Sequence, residues 1–268
     1  MKGLKYFTIL FVALLLITGC GKKDKEKEKD KDLDASGQFV KMTDSDIAEL
    51  EEAIANMQNV KSGSVKMEIS MLDASGESVS VVANADYDEF GTYHMNMTMS
   101  MMGMTIPMEL YMQEKGDEIY TYSQTTFMGM GTGWMLAVGP KENPTADAGM
   151  FGTSLEDYLE VKKYKTSDPG TTKFSMTISK EKMAEMLADM NGEDNEMFEI
   201  ASGFTMDIYT KDGYIVKIDM DLSELLTETG ATYKMVITFS NFNNVGKITI
   251  PSSVIDNATN LTDDAWGF

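Results

Sequence analysis

Methionine alternates with polar residues along residues 93–112, and this alternation constrains the fold more than any other feature of the chain. A period of two is typical of a β-strand with one buried face. The dipeptide Met102-Gly103 interrupts the alternation and predicts a two-residue hairpin turn. The resulting register pairs apolar residues throughout, namely Met101 with Met104, Met99 with Ile106, Met97 with Met108, Met95 with Leu110, and Tyr93 with Met112. A slip of one residue would move all these side chains to the other face, so the register is strongly specified.

Similar alternation recurs through most of the chain and predicts further antiparallel strands. They are Ser64–Met71, Ser78–Tyr87, Asp117–Ser123, Gly133–Val138, Thr171–Ile178, Thr232–Ser240 and Lys247–Ile250. A second hairpin is predicted around Lys211-Asp212-Gly213, taken as a three-residue loop. This loop would set Ile208 opposite Val216 and Met206 opposite Ile218.

Helical spacing appears in three places. A first helix is expected from Thr43, which can cap it, to Asn59. A short helix is expected at Ser154–Leu159, and a longer one after Ser179. The apolar side of the longer helix carries Met183, Met186, Leu187 and Met190. The predicted fold is α+β, with a single large curved antiparallel sheet of about ten strands that forms an unclosed half-barrel. An N-terminal helix and one or two helices are expected to cover its concave face.

The first twenty residues predict export. Two lysines precede an apolar stretch from Tyr6 to Ile17, which is typical of a signal peptide and too short to cross a membrane as a helix. The ending Ile17-Thr18-Gly19-Cys20 resembles a bacterial lipobox. This resemblance implies a signal peptide at residues 1–19 and a diacylglyceryl group on Cys20. The alternative is an ordinary secretory signal with an accidental cysteine.

Charged residues without any apolar side chain follow between Lys22 and Asp32. Such a segment cannot bury surface, so we expect residues 20–41 to comprise the lipidated cysteine and a flexible tether. One folded domain is expected over residues 42–256, and a loosely ordered tail over residues 257–268. The formal net charge is −20. Because the signal and the tether are net positive, the folded body must carry this negative charge.

The residue counts exclude several kinds of protein. One cysteine and one histidine, His94, leave no intramolecular disulfide and no metal site built from several cysteines or two histidines. An acidic chain without arginine lacks the basic face of a nucleic-acid binder. The sequence has no nucleophile elbow, phosphate loop or paired-carboxylate signature. We therefore expect no enzymatic activity, no cofactor and no resident metal.

Three features together resemble the half-barrel lipoproteins and lipoprotein carriers of the LolA/LppX type, in particular the poorly characterised lipoproteins of Gram-positive bacteria with that architecture. They are the lipobox, a helix that leads through Val60-Lys61-Ser62 into a long series of strands, and the strand Tyr120-Thr121-Tyr122 followed by Gly133-Trp134. The resemblance covers most of residues 43–255. It implies an unclosed antiparallel barrel that is lined with apolar side chains, is closed by helices and binds acyl chains inside.

The sequence therefore predicts an extracytoplasmic lipoprotein, anchored through Cys20 to the outer face of the bacterial cell membrane, that binds or passes a hydrophobic acyl-chain ligand. We expect a monomer, and no protein partner is indicated. The expected ligand-binding residues are Met95, Met97, Met99, Met101, Met104, Ile106, Met108, Leu110 and Met112 of the hairpin, with Trp134, Met183, Met186, Leu187 and Met190 as the lid. Two alternatives stay open: a filled methionine core in a protein that acts through its acidic surface, and Cu(I) binding by thioethers.

Overall fold

The computed structural model describes residues 39–40, 42–72, 76–127, 129–141, 158–179, 204–223 and 231–261. Their strands are β1 (Phe39–Val40), β2 (Gly63–Leu72), β3 (Ser78–Tyr87), β4 (Thr92–Met101), β5 (Met104–Lys115), β6 (Glu118–Phe127), β7 (Met130–Gly131), β8 (Met135–Pro140), β9 (Tyr158–Lys165), β10 (Thr171–Ile178), β11 (Phe204–Lys211), β12 (Tyr214–Asp221), β13 (Thr232–Ser240) and β14 (Thr259–Asn260). The helices in these ranges are α1 (Asp44–Gln58) and α2 (Ser252–Asn257).

The strands form one sheet in the order β1-β9-β10-β11-β12-β13-β2-β3-β4-β5-β6-β8-β14, and β7 pairs with β6. Two antiparallel meanders therefore lie side by side, and the pairing of β13 with β2 joins them. Only the short contact of β14 with β8 is parallel among the described pairs. The strands at the two ends of this order, β1 and β14, do not pair with each other within the described residues. The prediction of a large unclosed antiparallel sheet is confirmed, and about ten strands was an undercount.

The β4–β5 hairpin has the register that the methionine alternation predicts. Met101 pairs with Met104, Met97 pairs with Met108, and the intervening pairs follow the same register. Both turn residues have left-handed backbone, with φ of 53° at Met102 and 73° at Gly103. This conformation matches the right-handed twist of the flanking strands, which is why such turns favour two-residue hairpins.

Helix α1 also follows the prediction. Its N-cap is Thr43, and the Asp46 carboxylate accepts hydrogen bonds from the Thr43 backbone N–H and hydroxyl at 2.7 and 2.8 Å. The Asp46 side chain thereby satisfies the backbone N–H of the N-cap residue at the start of the helix. Leu50, Ala53 and Met57 are buried and bind the helix to the sheet.

The predicted register of the β11–β12 hairpin is wrong. Asp212 and Gly213 form a two-residue turn with φ of 51° and 77°, and a β-bulge follows, where the register shifts after Tyr209. The bulge adds one residue to β12, so Ile208 pairs with Ile218 rather than with Val216. A two-residue turn without a bulge would have set Ile208 against Lys217. The bulge returns the apolar side chains of β12 to the buried face.

Three further predictions about the fold need correction. The segment 247–250 is not a strand; the Ile248 N–H instead donates to the buried Asp88 carboxylate at 2.8 Å. Of the helix expected at Ser154–Leu159, residues 154–157 lie outside the described residues, and the last two belong to strand β9, whose charged residues hide its period of two. The described part of the tail expected over residues 257–268 is not loose, because α2 ends at Asn257 and β14 then pairs with β8.

Several predicted regions lie partly or wholly outside the described residues. These are the signal peptide at residues 1–19, Cys20, the helix expected after Ser179 with Met183, Met186, Leu187 and Met190, and residues 262–268. The expected tether at residues 20–41 is described only at residues 39–40. The C-terminal end of the expected tether is part of the sheet, because Phe39 and Val40 form β1 and pair with Tyr164 and Lys163 of β9.

We expect Met102→Asn to stabilise the protein by roughly 0.5–1 kcal/mol, because asparagine adopts left-handed backbone at lower cost than methionine. Thermal unfolding followed by circular dichroism should show a higher Tm. The matched control is Gly103→Ala, which puts a Cβ on the other left-handed residue and should lower the Tm. A lower Tm for Met102→Asn would contradict this account of the turn.

Candidate functional site: a methionine-lined apolar face

One face of the sheet, which we call the inner face, carries apolar side chains in register across eight strands. The central set, the methionine row, takes one residue from each of β10, β11, β12, β13, β2, β3, β4 and β5. In that order its members are Met176, Met206, Met220, Met235, Ile69, Val81, Met99 and Ile106, and each is the direct partner of the next. The row continues across both meanders without a polar residue, so the inner face is one apolar surface.

Burial falls along the methionine row from β10 toward β5. Met176 is fully buried and Met235 is 2 % exposed, whereas Met99 and Ile106 are partly exposed. Met99 still packs against the buried core, but Ile106 does not within the described part of the chain. The apolar face therefore changes from a filled core at one side to a partly open surface at the β4–β5 hairpin.

A second set, the upper row, lies closer to the β4–β5 turn. It consists of Tyr233, Met71, Val79, Met101 and Met104, again in direct register. Tyr233 is buried, and burial raises the pKa of its phenol to about 12. The other four side chains are partly exposed. Exposure thus begins two strands earlier in the upper row than in the methionine row, and the most open part of the face is its corner at the β4–β5 turn.

The middle of β6 presents polar side chains on the inner face. Thr121, Ser123 and Thr125 pair with Met112, Leu110 and Met108, so three hydroxyl side chains border the methionine surface. All three hydroxyl residues are partly exposed. An apolar surface beside a strip of hydrogen-bonding groups matches the two parts of an amphiphile, an alkyl chain and a polar end.

Helix α1 closes the opposite, lower end of the inner face, where the β11–β12 turn lies. The Asn56 amide donates to the Gly213 carbonyl at 2.8 Å. Lys163 of β9 lies 2.5 Å from Asp46 and 3.3 Å from Glu49. These polar contacts lie around the buried side of the helix. Because the β4–β5 and β11–β12 turns are at opposite ends of the strands, the open corner and the end closed by α1 are also at opposite ends.

Most of the residues predicted to bind a ligand do lie together. Met95, Met97 and Leu110 are buried in the core of the inner face, and Met99, Met108 and Met112 pack against it. Met101, Met104 and Ile106 form the partly exposed corner.

Trp134 does not join them, and its prediction as a lid over the methionine face is wrong. Its ring lies 5.8 Å from that of Tyr111, which belongs to the opposite, outer face of β5. Tyr111 and Tyr122 of that face form a second small core with Ile250 and Val254, the latter from α2. Trp134 precedes β8, and the alternation of that strand directs its side chain to the outer side. Helix α2 therefore covers the outer face rather than the inner one.

The single histidine belongs to this outer cluster. The His94 ring stacks on Tyr111 with 4.3 Å between ring centroids, and its Nε2 lies 2.9 Å from a Glu109 oxygen. The Tyr111 hydroxyl donates to the same oxygen at 3.1 Å. Burial, and then this hydrogen bond, raise the pKa of Tyr111. His94 and the methionines of β4 thus lie on opposite faces, as the alternation predicts, so the imidazole is not available to a ligand on the inner face.

The sequence does not assign the four buried methionines of the methionine row to the ligand site, namely Met176, Met206, Met220 and Met235. They lie on four separate strands, and no local run of methionines draws attention to them. The missed bulge in β12 also put Met206 opposite Ile218 instead of Met220. Only the paired strands bring these residues into one row.

The described residues form neither a metal-binding cluster nor a membrane-spanning helix. They contain no group of three or more His, Cys, Asp or Glu side chains arranged to hold a metal ion. None of their helices has the length and apolar character needed to cross a bilayer.

Two comparisons with known proteins give a match. A family model described as a family of unknown function (DUF6612) matches residues 164–259, which run from the end of β9 to the start of β14. Among solved structures, the chain is similar to LprF from Mycobacterium bovis, at 12 % sequence identity and a TM-score of 0.42, over 77 % of this chain and 96 % of that one. No curated protein matches the chain.

The contacts of α1 make stability dependent on pH at the acidic end. Hydrogen bonds from Lys163 and Thr43 lower the pKa of Asp46 to about 2. A carboxyl whose pKa is lower in the folded state contributes stability above its unfolded pKa of about 4, and this contribution is lost as the pH falls toward the folded value. We expect Asp46→Asn to lower the Tm at pH 7, and the difference from the wild type to shrink between pH 4 and 2.

Differential scanning calorimetry across this pH range is the measurement. Asp44→Asn is the matched control, since Asp44 lies in the same helical turn but is exposed. A difference between wild type and Asp46→Asn that stayed constant from pH 7 to pH 2 would contradict the proposed role of the Asp46 carboxylate.

Proposed function

We propose that this protein is a lipid-anchored extracytoplasmic lipoprotein that holds or passes a hydrophobic, acyl-chain ligand on its methionine-lined inner face. The observation that carries the proposal is the open corner of that face. The methionine row is fully buried at Met176 and continues in register to the partly exposed Ile106, and Met104 of the upper row, two residues away on the same strand face, is also partly exposed. Partly exposed apolar side chains that adjoin a core are favourable for ligand burial, because covering them removes apolar surface from water.

Methionine suits such a surface. Its unbranched, polarizable side chain fills irregular space and adapts to partners of different shape. A methionine lining is therefore suited to alkyl chains of varied shape rather than to one particular ligand. The hydroxyl groups of Thr121, Ser123 and Thr125 border the lining and offer hydrogen bonds to a polar end of the ligand. Because the chain has no arginine, we propose that hydroxyl groups take part in recognising that end.

The location of the protein is proposed from the first forty residues. Cys20 follows a signal-like stretch and is the only cysteine in the chain. Two acyl chains on one cysteine hold a protein stably at a membrane, whereas one chain does so only marginally. We propose attachment to the outer face of the bacterial cell membrane, with the charged residues after Cys20 as spacer. The proposed role is non-enzymatic, and the proposed state is a monomer.

Cys20→Ser should abolish lipid attachment. Bacteria that express the full chain and are fed radiolabelled palmitate should label the wild type and not the variant, and the variant should appear in the medium. Met42→Ser, which leaves the residues around Cys20 unchanged, is the control and should label normally. Equal labelling of Cys20→Ser would contradict the anchoring proposal without touching the ligand proposal.

Native mass spectrometry tests the ligand. The chain from residue 21 onward, purified without detergent, should carry adducts of lipid mass that are lost on denaturation. Met104→Glu places a charge at the open corner and should reduce these adducts, because a charge is costly to cover with an alkyl chain. Met102→Asn is the matched control. Its side chain is 64 % exposed on the turn itself, and its adducts should equal those of the wild type.

Two outcomes would count against the ligand proposal. A bare protein mass, unchanged after incubation with phosphatidylglycerol vesicles, would favour a filled core and a role in surface interactions. Adducts that persist undiminished in Met104→Glu would place the ligand elsewhere on the protein.

A further inference from the structure

Methionine is an oxidisable residue as well as an apolar one, and the inner face holds its methionines at very different exposures. Met67 and Met235 are each 2 % exposed, and Met206 is equally buried. Met101 and Met104 on the same face are partly exposed. Oxidation of a thioether requires contact with the oxidant, so susceptibility on this face should follow the burial gradient.

Met101 and Met104 are also set apart by their neighbours. They are direct cross-strand partners, and Val79 is the next residue in the upper row. Met71, Met99, Met108 and Met112 are partly exposed too, but they pack against the buried core. Within the described residues, Met101 and Met104 are not part of that packing. Their thioethers therefore form a pair at the corner where the face meets solvent.

We infer that Met101 and Met104 are the sites at which oxidants of the peroxide class modify the inner face, and that their oxidation weakens binding of an apolar ligand there. The second half of this inference rests on the function proposed above. In each step a sulfur lone pair attacks one peroxide oxygen, and an S–O bond forms as the O–O bond breaks. The departing oxygen takes up a proton and leaves as water or an alcohol. The sulfur is oxidised by two electrons and the peroxide is reduced by two.

The product changes the chemistry of the corner but not of the core. A sulfoxide is polar and accepts strong hydrogen bonds, so covering it with an alkyl chain would require its removal from water. The deeper methionines stay unmodified as long as the sheet stays folded. Oxidation of the exposed corner would thus lower ligand affinity while the buried methionines of the same face stay unchanged.

Peptide mapping by tandem mass spectrometry tests the first half without reference to any ligand. The chain from residue 21 onward is treated with limiting hydrogen peroxide and digested at intervals. We expect Met101 and Met104 to gain one oxygen atom well before Met67, Met206 and Met235. Exposed Met130, on the short strand β7, serves as an internal marker of unrestricted oxidation. Oxidation of the buried three at the same rate as Met101 and Met104 would overturn the inference.

Binding of the fluorescent fatty acid cis-parinaric acid tests the second half. Peroxide treatment should diminish probe fluorescence for the wild type and for Met102→Leu, whose lost methionine lies on the turn outside the inner face. The double variant Met101→Leu/Met104→Leu removes both thioethers, so the ratio of its probe binding after treatment to its own binding before treatment should stay close to one, whatever its untreated affinity. Equal loss in the double variant would overturn the second half of the inference.

The two proposals fail in different ways. If the untreated wild type does not bind the probe, the ligand function is contradicted, while the order of oxidation still decides the first half of the inference. If the untreated protein binds the probe and treatment leaves binding unchanged despite sulfoxide at Met101 and Met104, the ligand function stands and the second half of the inference does not.

Discussion

The pairing of β13 with β2 is the interaction on which the rest of the structure depends. Thr232–Ser240 and Ser64–Leu72 form nine successive residue pairs, and they bring together parts of the chain that lie far apart in the sequence. Without this pairing, which we call the seam, each meander would end in an unpaired edge strand beside its own apolar face. Both apolar rows cross the seam, where Met235 meets Ile69 and Tyr233 meets Met71. The continuous inner face, and with it the candidate site, exists only because these two strands pair.

The two sides of the inner face differ in how far their side chains are buried. The difference arises from the elements that pack beside each side. On β10–β13 the methionines are covered, and α1 adds Leu50, Ala53 and Met57 to the same core. At the turn end of β4–β5 the side chains are only partly covered, and β6 adds hydroxyl groups. The protein thus joins a filled methionine core to an adaptable surface through a single sheet. The filled core and the proposed hydrophobic ligand site, which the sequence leaves as alternatives, lie on different parts of one face.

Local patterns predicted local structure well. The β4–β5 register and the bounds of β3, β10 and β13 follow from alternation alone, because each strand has one buried and one exposed face. Features that depend on distant contacts were not predictable in this way. The bulge opposite Tyr209 is favoured because it returns Ile218 and Met220 to the core, which the turn sequence does not encode. Likewise Trp134 looked like part of the apolar site, yet its position is set by Tyr111 and by the outer core under α2.

The second core has a consequence for how freely the sequence can vary. Most strands of this sheet have one constrained face, and their solvent-side positions can accept many residues at little cost. Strand β5 does not have that freedom around Leu110 and Tyr111, which are adjacent in sequence and buried on opposite faces of the sheet. Its partner β4 is similarly placed, with Met95 in one core and His94 stacked on Tyr111 at the edge of the other. Mutational tolerance should therefore be lowest at the base of this hairpin, whereas its tip, which carries the open corner, can diversify far more readily.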